Sequence, residues 1–287
     1  MTAKVQTQKQ SLRFNSRWLV HITLIILAVI WLLPSVGLLI TSFRPREAIS
    51  DSGWWTALTP ARITLENYTN VLNAQGMGDS FFNSFLITLP STLGPVLIGS
   101  MAAYAFAWLD FRGRDSIFLV IIALLVIPLQ ATLVPVLQLY NVLGLTGSFL
   151  GIWIVHTAFG LPFAIFLLRN FFASLPREIF EAARIDGANE IFIFFRIVLP
   201  LSVPALASLA IFQFMWVWND LLIALVLMSN PKTQPMTVHI QALLGTYATE
   251  WDIMSAASFI SMTVPLLVFF ALQRYFVAGL TAGSVKS

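Results

Sequence analysis

The sequence predicts an all-α membrane protein with six transmembrane helices and both termini in the cytoplasm. Three observations carry this expectation. Hydrophobic residues make up 58% of the 287-residue chain and charged residues only 10%, too little polar surface for a soluble domain of that size. The apolar residues fall in runs at or above the ~20 residues needed to cross a ~30 Å hydrocarbon core. The cations are unevenly distributed between alternate segments, as in polytopic proteins.

Taken in order, the spans are residues 18–43, 81–109, 116–140, 148–172, 201–228 and 253–277. Residues 1–17 form a polar, basic cytoplasmic tail, and residues 278–287 a short cytoplasmic tail at the other end. The first apolar run is too long for the core of a cleaved signal peptide and has no small-residue cleavage site, so it is expected as a retained span. With the N-terminus inside, the inner segments hold Lys4, Lys9, Arg13, Arg17, Arg112, Arg114, Arg169, Arg177, Arg184, Arg196, Arg274 and Lys286. The outer segments hold only Arg44, Arg46, Arg62 and Lys232. Twelve cations against four set the orientation by the positive-inside rule.

The same distribution accounts for the net charge of +3 and the pI of about 9.4, so no nucleic-acid partner is expected. The absence of cysteine excludes disulfides and thiolate chemistry. His21, His156 and His239 are far apart and match no metal-ligand spacing. No GxxxxGK[ST] phosphate loop and no nucleophile elbow occurs. A membrane-embedded enzyme is therefore unsupported. Pro34, Pro90, Pro95, Pro128, Pro135, Pro162 and Pro265 interrupt the spans. Each frees a carbonyl that a neighbouring helix or a wet cavity must satisfy. The outer loops, 44–80 with Gly53–Trp55 and 229–252 with Glu250 and Asp252, fit either headgroup anchoring or binding of a partner.

The segment with organised chemistry is the inner loop at about 174–204, SLPREIFEAARIDGANEIFIFFRIVLPLSVP. Pro176 can open a helix, and Glu178 and Glu181 suit its first turns. Ala182 and Ala183 are small and helix-favouring, and Gly187 permits a turn. A second apolar helix, IFIFFRIV, is expected to end at Leu199–Pro200. Two readings fit the spacing: a short helix that enters a groove on a partner, and an amphipathic helix lying at the headgroups.

Glu181-Ala182-Ala183, Asp186-Gly187-Ala188, Leu199-Pro200-Leu201 and Pro204 resemble the EAA motif of ABC importer permeases. The resemblance continues through Ile40–Phe43, Thr64–Tyr68, Ala102–Arg114, Leu161–Phe172, Trp218–Asp220 and Leu272–Lys286. The chain is similar to the carbohydrate-uptake group of maltose-type, MalG-like permeases, and Ser52–Trp55 is similar to its α-glucoside branch. The resemblance implies a type I, MetI-like transmembrane domain over 18–277 and a coupling helix formed by Glu181, Ala182, Ala183, Asp186, Gly187 and Ala188. It implies a MalF-like second permease, a cytoplasmic ATPase dimer that uses ATP and Mg, an extracytoplasmic sugar-binding protein and surrounding membrane lipid. The chain itself would bind no cofactor, and its substrate would be an oligosaccharide or glycoside such as an α-glucoside, imported across a bacterial inner membrane.

Trp216, Trp218, Asn219 and Asp220 lie in the fifth predicted span. An intramembrane carboxylate faces a bundle interior or water. This group therefore suits either a sugar path or packing against the partner permease. An ion-gradient-driven carrier is the alternative function. It would need paired intramembrane carboxylates, and Asp220 is the one plausible candidate.

Overall fold

The computed structural model describes the backbone of residues 3–57, 62–74, 76–247 and 250–282. Side chains are described within these segments except at 3–16, 74, 245–247 and 275–282. The described residues are helical, with connecting turns and no strand. The helices are α1 (Ala3–Ser42), α2 (Arg46–Asp51), α3 (Glu66–Thr69), α4 (Met77–Trp108), α5 (Arg114–Leu124), α6 (Leu129–Leu143) and α7 (Phe149–Phe172). They continue with α8 (Arg177–Ile185), α9 (Glu190–Ile193), α10 (Leu199–Leu201), α11 (Val203–Trp218), α12 (Leu222–Leu227), α13 (Met236–Tyr247) and α14 (Trp251–Ala282).

Among the described residues, four stretches are long and apolar enough to cross a bilayer: Arg17–Ser42, Met77–Trp108, Phe149–Phe172 and Trp251–Arg274. They correspond to the first, second, fourth and sixth predicted spans. The other two predicted spans are not continuous helices. The third is broken between α5 and α6, whose axes differ by 97°. Pro128 explains the break: it cannot donate to the preceding turn, and it holds Ile127 away from helical geometry. The fifth, 201–228, begins at the 76° bend between Glu190–Leu201 and Val203–Trp218, and α11 stops at Trp218 rather than running on to 228. Counting each bent pair as one crossing gives six.

The predicted stop at Leu199–Pro200 is likewise displaced. Residues Phe194–Val198 form a π-helical turn, in which the Leu199 amide reaches back to the Phe194 carbonyl. The helix then passes through Pro200 and bends at Ser202. A π turn leaves room for a residue that cannot donate, so the proline bends the helix instead of ending it.

The chain divides into two compact units. The first comprises residues 1–75 and 244–259. Here α1 exposes its apolar side chains from Leu19 to Leu33. The segment after it is tied by polar contacts. Arg44 is buried and donates to the carbonyls of Ala48 (2.6 Å) and Ser52 (3.0 Å) and to Ser52 Oγ (2.8 Å). Asn67 donates to the carbonyls of Ser42 and Arg44, both at 2.9 Å. Arg46 pairs with Glu250 at 2.8 Å.

The second unit comprises residues 76–243 and 260–287. Its centre is α4 packed against α7 and α11. Small residues set the close approach, as is usual for helices in lipid. A Cβ added at Gly99 would lie 2.8 Å from Ala164 Cβ, and one at Gly160 would lie 2.7 Å from Gln213 Nε2 and 2.8 Å from Pro95 Cγ. One apolar cluster forms around Ile152, Val155, Ile223 and Leu227. A second, around Leu168, Phe172, Phe180, Ile193, Val198 and Leu209, is the base on which α8 rests. Between them α4 buries Ser84, Thr88, Ser91 and Thr92. The turn before α13 is pinned to α4 by Asn83, which donates to the carbonyls of Lys232 (2.9 Å) and Gln234 (3.1 Å). The Met236 amide donates to Ser84 Oγ at 2.8 Å.

Candidate functional site

The sequence around Glu181 builds a short helix with defined ends. Pro176, in extended conformation at φ −61° and ψ 128°, precedes Arg177. Glu178 lies in the first turn and Arg184 in the last, each opposite in sign to the adjacent helix pole. The helix closes on Gly187, which takes a left-handed φ of +83°. The Gly187 amide donates to the Arg184 carbonyl and the Ala188 amide to the Ala183 carbonyl, both at 3.0 Å. This paired bonding is the Schellman termination that favours glycine. Two residues on, Asn189 Oδ1 accepts from the Phe192 amide at 2.8 Å and starts the next helix. A sharp return between two helices thus follows directly from Asp186-Gly187-Ala188-Asn189.

The inward and outward faces of α8 are distinct. Phe180 is fully buried and stacks on Trp108 of α4, ring centroids 3.9 Å apart. Trp108 Nε1 donates to the Phe172 carbonyl at the end of α7, at 3.0 Å. Ala183 and Ala188 pack half-buried against the same cluster. Glu178, Glu181, Ala182, Ile185 and Asp186 are exposed, with Ile185 at 86%. The six residues singled out in the sequence, at α8 and the turn that ends it, therefore divide between two faces. Glu181, Ala182, Asp186 and Gly187 face outward, whereas Ala183 and Ala188 support the helix on the bundle.

Sequence reasoning missed the groups that hold α8 in place. Arg184 Nε donates to Glu190 Oε1 at 2.9 Å and Nη2 to Oε2 at 3.4 Å. The Tyr104 hydroxyl of α4 donates to Glu190 Oε2. The hydrogen bond to Glu190 holds the Arg184 guanidinium above its ordinary pKa. Phe180 had a local signal, since it is the one aromatic residue of α8 and shares a side of it with Ala183 at the i+3 spacing. Trp108, Tyr104 and Glu190 had none, because their meeting depends on how α4 and α8 pack.

The second predicted group is not a single cluster. Trp218 is buried, stacked with Phe214 at 5.6 Å and edge-on to Phe85 at 4.9 Å, and its Nε1 donates to the Ser261 carbonyl at 3.1 Å. Asn219 is exposed and donates back to the Met215 carbonyl at 2.7 Å. Asp220 caps α12: Oδ1 accepts from the Ile223 amide (3.3 Å) and Oδ2 from the Ala224 amide (3.1 Å). Its Oδ2 also lies 3.5 Å from Nε2 of the buried His156. Trp216 is 37% exposed and meets His156 edge-on at 5.4 Å. The helix break at 219–221 exists because Asn219 and Asp220 offer the backbone alternative hydrogen bonds. No group of three or more His, Cys, Asp or Glu suited to a metal ion occurs among the described residues.

A bundle of apolar, bilayer-length helices that carries a short helix on an aromatic base defines a multi-span membrane protein. The chain belongs to the family of binding-protein-dependent transport system inner membrane components, which it matches over residues 95–282. It is 51% identical to the osmoprotective compounds uptake permease protein GgtD of Synechocystis sp., covering 93% of this chain and 92% of that protein. It is 40% identical to the alpha-glucoside transport system permease protein AglG of Rhizobium meliloti, covering 94% and 97%. Among solved structures, it shares the fold of a bacterial ABC transporter involved in the import of the acidic polysaccharide alginate. That match has a TM-score of 0.77 at 24% identity and covers 93% of this chain and 98% of the other. Family membership sets aside the ion-gradient-driven carrier.

Proposed function

We propose that this chain is one of two permease subunits of an ATP-driven sugar importer, with α8 as the helix through which a cytoplasmic ATPase dimer drives transport. The observation that carries the reading is the division of α8. Phe180, Ala183 and Ala188 seat it on the bundle, leaving Glu181, Ala182 and Ile185 free for a partner. A helix that merely floated on the inner leaflet would turn its largest apolar side chain to lipid, whereas here Phe180 is fully buried in the bundle. ATP and Mg belong to the partner ATPase, and an external binding protein delivers the sugar.

The substrate class we propose is a small glycoside or oligosaccharide, α-glucosides foremost. The likeness to an alpha-glucoside transport system permease protein supports this. On the path itself, Trp216 and Asn219 are the accessible members of the predicted group and are assigned to it, with Trp218 and Asp220 holding them in place. Both termini are assigned to the cytoplasm, which puts α8 inside and α13 outside.

The test is co-expression with the second permease, ATPase and binding protein of the same gene cluster. The complex is expected to take up α-glucosides with ATP hydrolysis stimulated by loaded binding protein. Because the chain has no native cysteine, single cysteines placed at Glu181 and Lys232 give a clean topology test. Labelling of Glu181→Cys from outside intact cells would overturn the orientation. Stable assembly without the ATPase, and uptake unaffected by its deletion, would overturn the function.

A further inference from the structure

The geometry points to Glu190 as a positioning residue that locks α8 to α4 and makes α4 the span that first receives the movement of the coupling helix. The inference rests on the reading of α8 as that helix. Tyr104 and Trp108 lie four residues apart on α4, and Phe180 and Arg184 four residues apart on α8. Residues at that spacing share one face of a helix. The facing pairs form two rungs. Trp108 stacks directly on Phe180, with planes 22° from parallel. Tyr104 reaches Arg184 through the Glu190 carboxylate, which accepts from both. The first rung, with Ala183 and Ala188, seats α8 by apolar contact, which is non-directional. Two rungs fix its direction as well as its position.

Stability is not a sufficient reason for the second rung. The Arg184 and Glu190 side chains are 39% and 41% exposed, and ion pairs so open to water contribute little. What sets this pair apart is its third member. The Tyr104 hydroxyl belongs to a residue only 5% exposed in the wall of α4. A neutral, buried donor that satisfies a carboxylate from another element fixes geometry where the surface ion pair by itself would not. Glu190 is also the first residue of α9. The same carboxylate therefore joins α4, the end of α8 and the start of the bent helix that leads into α11.

The experiment uses the assembled importer with Glu190→Gln, Tyr104→Phe and the exchanged pair Arg184→Glu with Glu190→Arg. The readouts are co-purified ATPase, sugar uptake, and ATP hydrolysed per sugar transported. The expected result for Glu190→Gln is retained ATPase with uptake reduced about tenfold, the scale of losing one charged hydrogen bond. Hydrolysis per sugar should rise accordingly. Tyr104→Phe should show the same raised ratio with a smaller loss, and the exchanged pair should recover part of it. An unchanged ratio in both Glu190→Gln and Tyr104→Phe would overturn the proposal. Loss of ATPase in proportion to loss of uptake would also overturn it, because Glu190 would then only shape the docking surface. If Glu190→Gln fails to assemble, Tyr104→Phe decides by the same ratio. Failure of the underlying reading looks different: Ile185→Glu on the free face of α8 would then leave the ATPase bound and transport intact.

Discussion

Phe180 stacks on Trp108 across 72 residues of sequence, the rings 3.9 Å apart and 22° from parallel. This contact turns a short polar helix into a fixed projection of the bundle. Truncating Phe180 removes a fully buried ring, a change that typically costs about 3–5 kcal/mol in a packed core. Phe180→Ala should leave the spans inserted but detach α8, abolishing stimulated ATP hydrolysis. Trp108→Phe, which keeps an aromatic ring but loses the bond to the Phe172 carbonyl, should be milder. Measurement of uptake and hydrolysis in the two variants checks the order.

Gly187 and Glu181 should differ in kind. A Cβ at Gly187 would meet nothing within 4 Å, so the cost of substitution there is conformational. A β-branched residue cannot easily hold φ near +83°, and the left-handed region costs an ordinary residue about 1–2 kcal/mol. Gly187→Val should redirect the return after α8 and uncouple transport. Gly187→Asn, which tolerates that region, should retain much of it. Glu181→Ala removes one exposed charge and should weaken ATPase co-purification with less effect on uptake. Full activity in Gly187→Val would remove the turn from the coupling argument.

Asp220 and Trp218 should behave as structural supports. Asp220→Ala loses the cap of α12, worth about 0.5–2 kcal/mol, and leaves His156 without its carboxylate neighbour. Asp220→Asn keeps a capping oxygen and should be nearly normal in thermal stability. Trp218→Ala should lower stability and the yield of assembled complex without altering the order of preferred sugars. Altered sugar preference in Trp218→Ala, with stability intact, would return that residue to the path.

Helix spacing gives a further check. Gly160→Ala drives a methyl against the Pro95 ring and the Gln213 amide, at 2.8 and 2.7 Å. Overpacking of this kind costs about 1–3 kcal/mol. The variant should melt earlier in detergent than the parent. An unchanged melting temperature would mean that α4 and α7 separate readily.

Residues 229–252, expected as an outer loop, contain a helix, Met236–Tyr247. Removing Gln241–Thr246 therefore deletes more than a turn of α13 rather than slack chain. The expected outcome is loss of stimulation by loaded binding protein with assembly preserved, read by ATP hydrolysis with and without that protein. At the C-terminus, helix α14 continues to Ala282, while the last five residues of the predicted 278–287 tail lie outside the described residues. Truncation after Gly279 should lower ATPase activity in the complex if the tail touches the ATPases.

The sequence by itself determined the features that depend on local chemistry. Bilayer-length apolar runs specified helices, because a backbone in lipid has few other ways to satisfy itself. Asp186-Gly187-Ala188 specified the end of α8, because the left-handed residue must be one that tolerates it. The Glu181–Ala183 run marked the candidate coupling helix by residue identity alone. Tertiary structure decided the rest. Hydropathy could not show that the third predicted span breaks at Pro128 or that the helix entering the fifth bends at Ser202, since an interrupted run is as apolar as a straight one. Nor could spacing tell that Ala183 faces inward while Ala182 faces out, or that Trp218 is buried while Trp216 is not. Those outcomes depend on contacts such as Trp108 with Phe180 and Tyr104 with Glu190. Each joins residues more than 70 positions apart, and each exists only once α4, α7 and α8 have packed.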